Sequence, residues 1–228
     1  MVIADGGVEL ILVWLRHGET QANRERRYCG WSDPALNQVG REQAEEAAEA
    51  LSGLQVRRIW TSDLLRCRQT AEPLLTQFPE AEVEPTSHLR ELSFGEWEGF
   101  TYDEIHAQAP EQLQRWLAHP HRVSPPGGET GAEMESRLQR WLDRIPLELG
   151  SGDVTVAVSH GGPIRWFISH HLEGDPSRFW ERSLPHGGIL AVTWEPPKWR
   201  EVFLRELKKK RGTEERGKRD EGGQAPSV

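Results

Sequence analysis

Three short polar clusters in the sequence carry the residue types that phosphoryl chemistry uses. Arg16-His17-Gly18-Glu19-Thr20 follows the largely apolar stretch Glu9–Leu15. Thr61-Ser62-Asp63, with Arg66 one turn into the next segment, follows Arg57–Trp60, and Ser159-His160-Gly161-Gly162 follows Val154–Val158. Arg16 and Arg66 present planar forks of N–H donors that match phosphate oxygens in pairs. Gly161-Gly162 opens a helical stretch, where unpaired backbone N–H groups and the helix dipole favour an anion. His17 and His160 add two imidazoles, one able to act as nucleophile and the other to stabilise charge. The combination describes a phosphate pocket that contains a nucleophile.

Each cluster ends a candidate strand, and that placement brings them together. Glu9–Leu15, Arg57–Trp60, Val154–Val158 and Ile189–Trp194 have the short apolar character of buried strands. Between them, Gln38–Leu51 is rich in the helix formers Ala, Glu and Gln. Leu64–Phe78 reads as a helix with Ser62 or Asp63 as N-cap and a bend or end at Pro73. Thr130 and Glu133 form a capping box ahead of a helix to about Ile145, and Gly161–Leu172 has helical spacing. This alternation predicts an α/β fold, a three-layer α/β/α sandwich on a mostly parallel central sheet. In such a sheet ligands bind beyond the carboxyl ends of the strands, where all three clusters fall. Residues from about 93 to 129 lack strand signal and read as a helical insertion over the active site. The expected domain is 1–204, followed by a charged, flexible tail at 205–228.

Composition sets outer limits. The chain has 228 residues with formal net charge -8, an apolar share of 36% and 22 glycines, enough for one domain with a sizeable core. The tail holds eight Lys/Arg and five Asp/Glu, net +3, which leaves -11 on residues 1–204. That balance argues against nucleic acid as a partner. It does not argue against a phosphorylated metabolite, because local cations rather than the sum decide anion binding. Cys29 and Cys67 are too few for a disulfide framework, Met1–Gly7 lacks the basic region of a signal peptide, and Leu10–Leu15 is too short to cross a bilayer. A soluble cytoplasmic protein without a membrane partner is expected, with room for a homodimer. His119-Pro120-His121 lacks a third ligand at useful spacing, so no metal site is expected.

The segments RHGET (16–20) with Asn23, GWSDPALNQVGREQA (30–44), TSDLLRCRQTAEP (61–73), LRELSFGEWEG (89–99), PPGGET (125–130) and SHGGPIR (159–165) resemble the histidine phosphatase, or phosphoglycerate-mutase-like, superfamily, in that family's order. The resemblance implies that His17 attacks the phosphoryl group and becomes phosphohistidine. It implies that Arg16, Arg66 and His160 hold the phosphate oxygens, with Asn23 and the Gly161 backbone assisting. Glu91 stands in the position of the family's acid, which protonates the leaving alkoxide and then activates water. No metal or cofactor is implied.

Mutases of the family carry an E-R-H-Y-G segment around this acid, and its Arg binds the substrate carboxylate. Here the segment is Glu91-Leu92-Ser93-Phe94-Gly95, and the insertion has Gln114-Arg115-Trp116 where mutases place paired arginines. A phosphatase is therefore expected rather than a mutase. The FGEWEG and PPGGET segments are most similar to α-ribazole phosphatases of cobalamin biosynthesis. A broad-specificity phosphatase, a phosphoglycerate mutase and a non-catalytic phosphoprotein-binding module are the alternatives. Trp31 and Trp97 flank motif residues and are candidates to stack on an aromatic substrate. His88, His106, His170, His171 and His186 read as structural.

Overall fold

The computed structural model describes residues 10–145 and 153–208. Six strands form one sheet: β1 (Ile11–Arg16), β2 (Val56–Ser62), β3 (Glu82–Thr86), β4 (Val154–Ser159), β5 (Ile189–Glu195) and β6 (Lys198–Val202), in the order β3-β2-β4-β1-β5-β6. β1, β2, β3 and β4 run parallel, and β5 is antiparallel to both β1 and β6. β1 feeds both layers of the core. Leu12 and Trp14 join one apolar cluster, while Ile11, Val13 and Leu15 join the other. A strand buried on both faces needs apolar residues without alternation, as ILVWL supplies.

The two faces are covered by different parts of the chain. α2 (Gln38–Ala50) and α3 (Leu65–Gln77) bury Ala47, Ala48, Cys67, Ala71 and Leu74 against one. The other is covered by α6 (Gly131–Leu142), α7 (Gly161–Phe167) and the insertion. A short α1 (Gln21–Arg24) follows β1; within the insertion, α4 (Tyr102–Gln108) and α5 (Pro110–Ala118) are pinned to the core by Ile105, Leu113 and Trp116. This is the predicted three-layer sandwich with a helical insertion. No helix among the described residues is long and apolar enough to cross a membrane.

Three local expectations are corrected. Neither Ser62 nor Asp63 is the N-cap of α3: Leu64 occupies that position, and Asp33 Oδ1 accepts from the Leu65 N–H at 2.6 Å. Asp63 instead spends both carboxylate oxygens on Arg90, at 2.6 Å each. α3 also runs through Pro73 without ending. The packed chain extends beyond 204, because 204–208 form a helical turn whose Leu207 is buried in the core. The remainder of the tail, Met1–Gly7 and Glu9 lie outside the described residues.

Candidate active site

His17 leaves the end of β1 with its backbone N–H donating to the Ser159 carbonyl at 2.9 Å, which extends the β1–β4 ladder by one residue. The turn that follows lies hard against the start of α2. A Cβ on Gly18 would sit 2.2 Å from the Gly40 carbonyl oxygen, and one on Gly40 would sit 2.1 Å from that of Glu19. Two glycines are needed for this approach. The turn brings the Gly18 carbonyl to 2.7 Å from His17 Nδ1. A carbonyl only accepts, so Nδ1 carries the proton and Nε2 carries the lone pair. Burial first, then the Arg66 charge and His186, hold the His17 pKa well below the ordinary imidazole value. His17 is therefore neutral, with a fixed tautomer and an unprotonated Nε2.

His160 at the end of β4 lies beside it, ring centroids 5.0 Å apart and edge-on. Burial and Arg66 keep it neutral as well. Its Nδ1 accepts from Arg66 Nε at 3.2 Å, so Nε2 carries the proton and lies 2.9 Å from Ser62 Oγ. Both nitrogens thus have protein partners, and a phosphate oxygen can take the Nε2 proton only in exchange for the Ser62 bond. Arg66 is fully buried and has no carboxylate partner among the described residues. Its N–H groups reach the carbonyls of Ser32 (2.8 Å) and Gly30 (2.7 Å). Arg16 donates to the Leu184 carbonyl at 2.6 Å and lies 3.3 Å from His186 Nε2, while its buried Nε has no partner. Gly161 lets the Arg16 guanidinium pack on its α-carbon, since a Cβ there would meet Cζ at 3.4 Å. Arg66 is buried and Arg16 half-buried, and neither forms an ion pair among the described residues, an arrangement complementary to a phosphate dianion.

Glu91 closes the site from the other side. Its carboxylate accepts from the N–H groups of Gly162, at 3.1 Å to each oxygen, and of Leu92 at 2.9 Å. Its backbone carbonyl accepts from Trp31 Nε1 and from Arg137, each at 2.9 Å. The structure therefore brings His17, Arg16, Arg66, His160, Gly161 and Glu91 together. It does not hydrogen-bond Asn23 to any of them. Asn23 Oδ1 accepts from the Thr20 N–H and hydroxyl, a capping box that shapes the chain after His17.

Sequence reasoning missed three supporting residues. His186, read as structural, lies with its ring 5.2 Å from His17 and its Nδ1 3.3 Å from the His17 carbonyl; burial and Arg16 hold its pKa down to about 4. Glu98 gathers the N–H groups of Gly30, Trp31 and Ser32, so the carbonyls of that loop face Arg66. Arg137, paired with Glu129 at 2.7 Å, donates to the carbonyls of His88, Arg90 and Glu91. Glu98 and Glu129 lay within the quoted motifs, but nothing local to the sequence shows that a carboxylate will organise a distant backbone. Of the two candidate stacking residues, neither lines the chamber described below. Trp97 is buried edge-on to Trp116, and Trp31 anchors Glu91 beneath the Arg90 guanidinium.

A chamber of about 490 Å³ opens from Glu91 and Gly162. Phe94, Trp116, Met134, Trp166, Phe179 and Trp180 form most of its wall, with Arg165 and Glu135 among its few charged groups. Trp180 is 47% exposed and closes the chamber edge-on to Trp116.

A model of the histidine phosphatase superfamily (branch 1) matches residues 12–206. The chain belongs to this superfamily. Phosphoserine phosphatase 1 of Hydrogenobacter thermophilus is 34% identical over 82% of this chain and 87% of its own length. A 2,3-bisphosphoglycerate-dependent phosphoglycerate mutase of Bartonella henselae is 30% identical over 73% of this chain and 83% of its own. The crystal structure of the α-ribazole phosphatase from Shigella flexneri superposes with a TM-score of 0.78 at 25% identity, covering 87% of this chain and 97% of that one. This histidine phosphatase is an enzyme of the phosphoric monoester hydrolase class.

The buried imidazoles of the histidine phosphatase carry a consequence for stability. The pKa values of His17 and His160 lie well below the ordinary value, and those of His171 and His186 lie at about 4. Unfolded histidines titrate near 6.5, so between about 6.5 and 4 the unfolded chain binds protons that the folded one refuses. Stability should fall as pH drops through that window. Urea midpoints at about pH 7.5 and about pH 5 test this, and the lower midpoint is expected at the acid pH. Equal midpoints would contradict it.

Proposed function

We propose that this phosphatase hydrolyses a small phosphomonoester without a metal ion, through a phosphohistidine formed on His17. The observation that carries this reading is the tautomer: Nδ1 is pinned to the Gly18 carbonyl, which leaves the Nε2 lone pair free to meet a phosphoryl group held by Arg16 and Arg66. Nε2 attacks phosphorus, the ester P–O bond breaks, and the Glu91 carboxyl gives its proton to the departing alkoxide. Water then attacks the phosphorus, Glu91 takes its proton, the P–N bond breaks, and neutral His17 and inorganic phosphate remain. Arg16 and Arg66 supply the positive charge for the equatorial oxygens. Arg16 offers its buried, unpartnered Nε, and His160 orients Arg66 and exchanges Ser62 for a phosphate oxygen. Asn23 has only its Nδ2 group left for the same task.

The specific substrate we propose is α-ribazole 5′-phosphate, whose aromatic base suits the chamber beyond Glu91. A mutase substrate suits it less. Its carboxylate would lack the Arg that mutases of the family carry where Leu92 stands here, although Arg165 lines the same chamber. The two unpaired thiols, Cys29 and Cys67, suit a reducing cytoplasm. The test is a phosphate-release screen in chelator with α-ribazole 5′-phosphate, phosphoserine and 3-phosphoglycerate, using wild type and His17→Ala. Rapid release from the α-ribazole ester, dependent on His17, is expected. Phosphoglycerate isomerisation that rises with a bisphosphoglycerate primer, with little phosphate release, would overturn the reading.

A further inference from the structure

We infer that Arg137 and Trp31 are positioning residues for the acid step: by gripping the backbone under Glu91 they hold its carboxyl at the leaving oxygen, and so set how well the enzyme expels a poor leaving group. The inference rests on the phosphatase reading, in which Glu91 is the acid, and assigns two residues that reading does not use. Glu91 stands on irregular chain between two short 3-10 turns, Ser87–Leu89 and Gly95–Trp97. No helix or ladder satisfies its backbone, so side chains must hold it.

Four consecutive carbonyls there are each taken by a side-chain donor. Arg137 Nη1 donates to the carbonyls of His88 and Arg90, at 2.8 and 2.7 Å, and Ser159 Oγ donates to that of Leu89 at 2.8 Å. The Glu91 carbonyl accepts two, from Arg137 Nη2 and Trp31 Nε1, each at 2.9 Å. Arg137 gives its remaining N–H groups to Glu129, from Nε at 2.7 Å and from Nη2 at 2.8 Å. All five donors of the guanidinium are spent, in a fork that a lysine cannot copy. The clamp also stands on firm ground. Arg137 is carried by α6, whose Met134, Leu138 and Trp141 are buried in the core, and the Glu129 N–H is tied back to the Ser93 carbonyl at 2.9 Å.

The grip matters because the carboxylate is fixed from its other end with little room. A Cβ on Gly162 would sit 2.1 Å from Glu91 Oε1. The Gly162 and Leu92 N–H groups can place the oxygens only while the Glu91 backbone stays where the clamp sets it. A shift of about 1 Å in such a group costs on the order of 10²-fold. An alkoxide needs the proton that Glu91 carries, and a nitrophenolate does not. Loosening the clamp should therefore penalise esters by how poorly their leaving groups depart, whereas a loss of folded protein would penalise all esters alike.

The experiment measures kcat/KM, which reports the steps up to phosphohistidine, for an alkyl phosphate and 4-nitrophenyl phosphate. Arg137→Lys keeps the charge that His160 also feels and loses the fork. It should lower kcat/KM by about 10- to 100-fold for the alkyl ester and by less than about threefold for the nitrophenyl ester. Added to Glu91→Gln, it should lower the alkyl value by no more than about twofold further, because the acid is already gone. Trp31→Phe, at a position 44% exposed, should give the same split with an alkyl loss of about threefold to tenfold, and it decides the matter if Arg137→Lys fails to fold. Equal losses on both esters, no loss on either, or a full further loss in the Glu91→Gln background overturn the inference. Failure of the phosphatase reading looks different: Glu91→Gln then slows the two esters equally, or wild type releases phosphate from neither, and the clamp has no acid to position.

Discussion

Replacing His17 by alanine should lower kcat/KM by at least about 10⁴-fold, because no other group can take over the covalent step. His160 cannot substitute, since its Nδ1 is held by Arg66 and its Nε2 carries a proton directed at Ser62. His186 cannot either, because its nitrogens face Arg16 and the His17 carbonyl. The variant should still bind inorganic phosphate within a few-fold of wild type, as Arg66 and Arg16 are positioned by the Gly30–Ser32 loop and by Leu184 rather than by the His17 ring. Steady-state kinetics and calorimetric titration with inorganic phosphate measure the two halves. Loss of binding in parallel with activity would mean that His17 is a ligand and not the nucleophile.

Glu91→Gln should lower kcat on an alkyl phosphate by about 10²- to 10⁴-fold. Glutamine keeps the shape and can still accept from the Gly162 and Leu92 N–H groups, so what is lost is the proton. The leaving group then separates the two roles of the acid. A 4-nitrophenyl ester leaves without help, so its first step should stay fast in the variant, while water remains unactivated for the second. Stopped-flow should show a burst of nitrophenol equal to the enzyme concentration, followed by a slow steady rate. A variant that slows the nitrophenyl and alkyl esters equally, without a burst, would remove Glu91 from both steps.

The sheet centre and the polar cluster of the candidate site were legible in the sequence for one reason. β1 and β4 are buried on both faces, so their apolar runs stand out, and the polar residues that end them must sit at the carboxyl edge. β3 and β6 were invisible because they are the edges. β3 carries Glu82, Glu84 and Pro85, and in β6 only Trp199 is buried. The α3 cap was misplaced because Asp33, distant in sequence, reaches the helix start while Asp63 turns to Arg90. Long-range polar partners defeated local reading throughout the site. Arg137 holds the backbone under Glu91, Glu98 shapes the loop around Arg66, and His186 braces Arg16. The expectation that His160 holds phosphate oxygens directly meets a bond to Ser62 that no motif announces. Trp97 was singled out as a stacking residue by its place in a motif, yet it is buried, and the chamber's aromatics come from Phe94 of that same motif, from α5 and α7, and from the turn at Phe179-Trp180.

Charge shows the same division between sum and site. Residues 1–204 carry net -11, yet Arg66 is buried without a carboxylate partner and Arg16 keeps a buried N–H unused. The local pocket decides anion binding, and the overall charge affects at most the rate of approach.

The central claim is a covalent phosphoryl group on His17. Its most direct test mixes enzyme with a radiolabelled phosphomonoester, quenches within milliseconds in alkali and maps the label, with Glu91→Gln included to slow its loss. The account predicts label on the peptide containing His17, stable to base and lost in mild acid, accumulating toward one phosphoryl group per chain in Glu91→Gln and absent in His17→Ala. Turnover by wild type with no acid-labile label on His17 in either active form would contradict it.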